Sequence, residues 1–143
     1  MDILNNLPPI HHLLGGHDIQ WNADTCELGI RYLALESFTN PRGTIEGGMI
    51  CAMLDDVMGL FSVLANQGKA ATTINLNTDF FRPCHVGEVI TKCRFIKQGN
   101  TVLNIESTAW QQQKLIARST ANFMVLPHST PEVIHSTKQS GTE

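Results

Sequence analysis

The sequence has no excess of basic residues. Ten Lys and Arg stand against 13 Asp and Glu, a formal net charge of −3, so no positively charged face for nucleic acid or an anionic bilayer is expected. Close cysteine pairs are also missing. Cys26, Cys51, Cys84 and Cys93 form no C-x-x-C, and no His pair joins them at zinc-ligand spacing. The expectation is four reduced thiols in a cytoplasmic protein, with no metal and no cofactor. The N-terminal stretch MDILNNLPPIHHLLGG lacks a basic region followed by a long apolar run, which argues against a secretory leader. The longest nearly apolar run, 49–64, is shorter than the roughly 20 residues that cross a bilayer and contains two acids. There is no internal repeat and no low-complexity tract.

What is present fits one domain. The chain has 143 residues and is 42% hydrophobic, enough for an ordinary core. Residues 3–14 are expected to hold a short helix that Pro8 and Pro9 start or break and that Gly15-Gly16 end. HDIQWNAD (17–24) and ELGIRYLAL (27–35) alternate apolar and polar residues as a β-hairpin does. ESFTNPRGTIEGG is a loop, and a helix is expected from about Glu46 to Ala65, stopped by NQGKAA.

Four further strands follow: ATTINLNTDFF, EVITKCRFIK, TVLNIESTAWQ and LIARSTANFMVL, with tight breaks at RPCHVG, QGN and QQK. Ile74, Leu76 and Thr78 are expected on one face of the first of these. Val89, Thr91 and Cys93 share a face of the second, and Ile105, Ser107 and Ala109 a face of the third. Period-two patterning with short turns predicts antiparallel pairing. Residues 127–143 are polar and interrupted by proline, and a mobile tail is expected there.

The helix over 46–65 is apolar nearly all round, so it must be covered nearly all round. One antiparallel sheet of about six strands curled around it would do that, and a second subunit would cover the rest. Two acids sit inside this helix. Asp55 shares a stripe with the small residues Gly48, Cys51, Ala52, Gly59 and Ser62, which admit a close neighbour or a ligand. Asp56 shares its stripe with Met49, Met53, Leu60 and Val63. Packing makes Asp56 the more buried acid, and access makes Asp55 the more useful one. Either could be a structural carboxylate satisfied by a neighbouring N–H or Lys. Gly47-Gly48 could serve tight packing, or could let a carbonyl approach the free amides at the positive end of the helix.

Asn40, Glu46-Gly47-Gly48 and Asp55, followed by TDFFRP (78–83), GEVI (87–90), QGN (98–100) and LIA (115–117), together resemble the PaaI-type acyl-CoA thioesterases of the hotdog fold. The resemblance covers roughly residues 12–126. It implies an α+β hotdog domain over 1–126, with residues 1–15 as its N-terminal helix region. It further implies hydrolysis of an acyl-CoA or acyl-carrier thioester in a homodimer or a tetramer of two dimers. The matching positions make Asp55 the general base or nucleophile and the Gly47 amide the oxyanion donor. Asn40 would place water or substrate, and Thr73 would assist from the following strand. Glu46 and Gly48 would adjoin the thioester, and Arg82, Lys92, Arg94 and Lys97 are cations available to the CoA phosphates, Arg82 and Lys97 foremost.

One position departs from the family pattern: Glu46 stands where the family usually has His. That departure keeps a non-catalytic acyl-thioester binder open as the alternative function. A hotdog hydratase ranks lower, because no Asp–His pair adjoins the loop. A ligand-free structural dimer ranks lower too, given two acids in an apolar helix. His11 and His12 are expected as surface or packing residues, Met49, Met53 and Met58 as core fillers, and Trp21 and Trp110 as strand packing.

Overall fold

A computed structural model describes residues 2–127; the expected tail lies outside the described residues from 128 onward. The chain opens with a 3-10 turn at Ile3–Asn5 and a short helix α1 at Pro9–Leu13. The hairpin strands are β1 (His17–Asn22) and β2 (Glu27–Ala34). After a second 3-10 turn, Glu36–Phe38, comes the long helix α2 (Gly47–Leu64). Strands β3 (Ala71–Phe80), β4 (Gly87–Gln98), β5 (Val102–Gln111) and β6 (Lys114–Val125) complete the fold. The single helix expected over 3–14 is thus split in two. Pro8 adopts an extended backbone at the N-cap of α1 and cannot continue the preceding turn.

All neighbouring strands are antiparallel, in the order β1-β2-β4-β5-β6-β3. The chain leaves β2, runs through α2 and enters β3 at the opposite edge. The sheet therefore wraps one helix, which is the hotdog arrangement.

The inward positions explain how closely α2 can seat. Thr91, Ser107, Ser119, Ala109, Ala117 and Ala121 are all buried, and such small side chains let the helix backbone approach the sheet. Met53, Leu54, Val57, Met58 and Phe61 fill the space from the helix side, each 0% exposed. Each such side chain contributes about 1.5–3 kcal/mol through burial. By length and hydropathy Gly47–Leu64 resembles a membrane span, but here it is the core helix of the sheet. The outer sheet face carries charge, with Glu106 bridging Arg94 (3.3 Å) and Arg118 (2.7 Å).

Strand β3 departs from the alternation read in the sequence. A bulge between Thr73 and Asn75 shifts the register of β3 against β6. The bulge changes the phase of the strand. Ile74 leaves the inner face and is 52% exposed, Thr73 turns toward α2, and Leu76 and Thr78 are half-buried.

The sheet does not cover α2 completely. Cys51, Ala52, Asp55 and Gly59 are only half-buried, and Gly48 is exposed. These belong to the small-residue stripe read from the sequence. A Cβ built on Gly48 or Gly59 would meet nothing within 4 Å.

Candidate active site

The loop before α2 is closed by one side chain. Asn40 Oδ1 accepts from the amides of Arg42 (2.9 Å) and Thr44 (3.3 Å), and its Nδ2 donates to Thr44 Oγ1 (2.9 Å). The Asn40 side chain, expected to place water or substrate, is thus committed to its own loop. Further on, the Ile45 amide donates to the Cys84 carbonyl (2.8 Å) and that of Glu46 to the Phe38 carbonyl (2.9 Å). These ties fix the entry into α2 and leave Gly47 as its first residue. Among the described residues the Gly47 N–H donates to its neighbour's side chain, Glu46 Oε1, at 3.3 Å. A Cβ on Gly47 would lie 3.2 Å from Phe80 Cζ, so glycine here matches the close approach of an aromatic ring. Asn40, Glu46, Gly47 and Arg82 line one open cavity of about 560 Å³ together with Arg42 and Phe80.

Asp55 lies two turns further along α2 in a different cavity, of about 340 Å³. Thr73 Oγ1, turned inward by the bulge, donates to Asp55 Oδ1 at 3.0 Å. The bond occupies one carboxylate oxygen and fixes its orientation. The eight residue steps from Gly47 to Asp55, at about 1.5 Å rise each, separate the two groups by about 12 Å along the helix. One chain therefore keeps the amide and the carboxylate in separate cavities.

Asp56 faces the interior, 9% exposed. Its Oδ2 accepts from Tyr32 Oη at 2.7 Å and lies 2.7 Å from His11 Nδ1. Burial, followed by the Asp56 charge and hydrogen bond, pushes the Tyr32 phenol far above its ordinary 10.0. Tyr32 is therefore the protonated donor. His11 is 0% exposed, and its Nε2 has no partner among the described residues. A Cβ on Gly16 would fall 2.2 Å from His11 Cε1, so only glycine leaves room for the imidazole edge. The sequence reading of His11 as a packing residue holds, but the partnership with Asp56 was not foreseen. An acid on a large-residue stripe signals that donors must come from elsewhere, without saying which.

Residues 42–117 match the family model described as the thioesterase superfamily, and that stretch contains Gly47, Asp55 and Thr73. The chain belongs to the thioesterase superfamily. A phenylacetic acid degradation-related protein of Ralstonia eutropha JMP134 shares its architecture with TM-score 0.79 and 35% identity, over 83% of this chain and 91% of that one. The PaaI protein of the E. coli phenylacetic acid degradation operon shares the fold, with TM-score 0.76, 18% identity and coverage of 87% and 88%. Mouse acyl-coenzyme A thioesterase 13 is 25% identical over 96 residues, which is 65% of this chain and 66% of that relative's length.

In this thioesterase-superfamily chain the four cations named from the sequence do not gather into one rim. Arg82 lines the Gly47 cavity, where its Nη1 donates to the Leu115 carbonyl at 2.7 Å. Lys97 sits at the other end: the next residue, Gln98, donates to the Ala65 carbonyl at the C-cap of α2 (3.3 Å). The 18-residue helix spans about 27 Å, so in one chain Arg82 and Lys97 lie toward opposite ends of α2. Lys92 lies 5.1 Å from the Trp110 ring centroid, and Arg94 is paired with Glu106. Arg42, in NPRG beside Asn40, was not named from the sequence and lines the same cavity as Arg82.

Proposed function

We propose that this chain hydrolyses acyl-CoA or acyl-carrier thioesters at a site shared between two copies. The observation that carries this reading is the Asp55–Thr73 pair: a half-buried carboxylate on a stripe of small residues, oriented by a hydroxyl and facing a cavity. Family membership and the relatives' printed names support the substrate class.

Asp55 removes a proton from water, and the water oxygen bonds to the thioester carbonyl carbon. The carbonyl oxygen takes up negative charge and accepts a hydrogen bond from Gly47 of a second copy, at the positive end of its helix. The C–S bond then breaks, and the thiolate leaves with the proton held by Asp55. In direct attack, an Asp55 oxygen bonds to the carbonyl carbon, the C–S bond breaks to release the thiolate, and water then opens the mixed anhydride to give the acid and restore the carboxylate. Thr73 holds the carboxylate, and Asn40 positions the loop that presents Gly47. Arg82, with Arg42 beside it, offers positive charge to CoA phosphates, and Gly48 keeps the approach open.

A second copy is required because Gly47 and Asp55 are too far apart in one chain. The edge strand β3 supplies a surface for it, with Ile74 and Phe80 about half exposed and Phe81 beside them (52%, 49% and 52%). Unpaired edge strands favour pairing with another chain. A homodimer, or a tetramer of two such dimers, is the assembly this reading needs.

One observation favours the alternative of a non-catalytic acyl-thioester binder: the Glu46 carboxylate rests on the Gly47 amide. The deciding experiment is thiol release from a panel of short, long and aromatic acyl-CoAs, with Asp55→Ala alongside. Turnover that Asp55→Ala abolishes supports the hydrolase. Binding without turnover decides for the binder.

A further inference from the structure

The cavity holding Asp55 and Thr73 has an apolar wall that comes from outside the family-matched stretch. Ile3, Pro8 and Ile10 line it together with Leu60 and Phe123, whereas the family match begins at residue 42. Ile10 is 45% exposed on a helix of five residues, although the next residue, His11, is fully buried.

Two kinds of contact hold this wall. His11 Nδ1 lies 2.7 Å from Asp56 Oδ2, which also accepts from Tyr32. The Leu33 amide donates to the Leu14 carbonyl at 3.1 Å. The anchor thus engages Asp56, the residue next to the carboxylate proposed to do chemistry.

We infer that the N-terminal segment, residues 2–14, is the acyl-selecting wall of the site: Ile10 and Ile3 contact the acyl chain of a thioester whose carbonyl lies at Asp55. The His11–Asp56–Tyr32 contact sets how close that wall stands. This rests on the proposed placement of the thioester carbonyl at Asp55. The cavity of about 340 Å³ is more than twice the roughly 150 Å³ that admits benzene. It has room for an apolar acyl group of several carbons, or for an aryl group. The acyl group gains by burying its methylenes against isoleucine, and a bulkier side chain at position 10 would shorten the space.

The test uses the full chain and a series of acyl-CoAs from two to sixteen carbons. Ile10→Trp should lower kcat/KM for chains of eight or more carbons by about tenfold or more, and leave acetyl-CoA within about threefold. Ile10→Ala should move the optimum to longer chains. His11→Ala should flatten the chain-length profile through KM, with kcat on the shortest substrate retained, which a uniformly destabilised protein would not show.

The same variants are titrated with non-hydrolysable S-alkyl-CoA thioethers of the same lengths. A length-dependent shift in Kd supports the wall even if no thioester is turned over, so the two readings fail separately. Profiles for both Ile10 variants that match the wild type, or fall equally at every length, overturn the inference.

Discussion

Asp55 and Asp56 are consecutive on α2 and turn to different partners: Asp55 accepts from Thr73 at 3.0 Å, and Asp56 meets Tyr32 and His11 at 2.7 Å each. The two acids should therefore separate activity from stability. Asp56→Ala leaves two buried donors without an acceptor, at about 1–3 kcal/mol each, so a loss of about 3 kcal/mol and a fall in Tm of about 10 °C are expected. Asp55→Asn should keep Tm within about 2 °C and lower thioester hydrolysis by about 10² to 10⁴. Thermal unfolding and thiol release on the same samples check both. An Asp55→Asn variant with full turnover would remove the proposed base.

The Gly47 amide can be tested without dismantling the helix. Gly47 is the first residue of α2, where proline is tolerated and its missing N–H breaks no helical bond. Glu46 has ψ 132, the extended backbone that a residue before proline prefers. Gly47→Pro should lower kcat by about 10² to 10³ through loss of one oxyanion donor. Gly47→Ala keeps the N–H and adds only the contact with Phe80, so it should cost a few-fold at most. Equal losses in the two variants would mean that crowding, not the amide, matters.

Glu46 places a negative charge where an oxyanion would develop. Glu46→Gln retains an acceptor for the Gly47 amide and removes the charge. At an exposed position the repulsion is about 1 kcal/mol at a separation near 4 Å. Glu46→Gln should then raise kcat about five-fold at low salt, and the gain should shrink as salt screens the wild-type charge. A decrease instead would show that the carboxylate assists turnover.

Much of this fold can be read from residue spacing alone. The helix bounds follow from Glu46 at one end and NQG at the other, and β4, β5 and β6 follow from period-two patterns that are legible despite register shifts at Phe95/Lys97 and Ala109/Trp110. The β3 phase was not legible, because the bulge at Thr73–Asn75 moves Ile74 outward and Thr73 inward. Alternation cannot register an inserted residue. Thr73 was named through the family resemblance, not through its own pattern. The partners of Asp56 were hidden for a different reason: Tyr32 and His11 lie 24 and 45 residues away in sequence, and only the folded arrangement of α1, β2 and α2 joins them.

Three buried acids of high pKa predict alkaline instability. Burial pushes the Cys84 thiol from its ordinary 9.0 up to about 11. Burial first, then Cys26 and Glu106, pushes Cys93 well above the same value. Tyr32 is raised far above 10.0. In each case the folded protein keeps a proton that the unfolded chain releases, so stability is fully present below the unfolded pKa and falls as pH rises. The decline should begin near pH 9 with the two thiols and steepen near pH 10 with Tyr32, at about 1.4 kcal/mol per pH unit for each group. Urea unfolding between pH 8 and 11 measures it. Cys84→Ala should remove one proton's worth of slope between 9 and 11, and Tyr32→Phe one above 10.

A shared site makes a prediction that no single variant can reach. Gly47 and Asp55 occupy separate cavities of one chain, so a two-fold dimer would build each site from the amide of one copy and the carboxylate of the other. Asp55→Ala and Gly47→Pro subunits would each be inactive alone. In a mixed dimer one site receives both defects, and the other receives an intact Asp55 and an intact Gly47. Random exchange of equal amounts makes half the dimers mixed, each with one working site of two, so activity should recover to about a quarter of wild type. Unfolding and refolding the two variants together, with thiol release as the readout, measures this. No recovery in mixtures shown to exchange subunits would place amide and carboxylate in unrelated sites, and the proposed mechanism would lose its oxyanion donor.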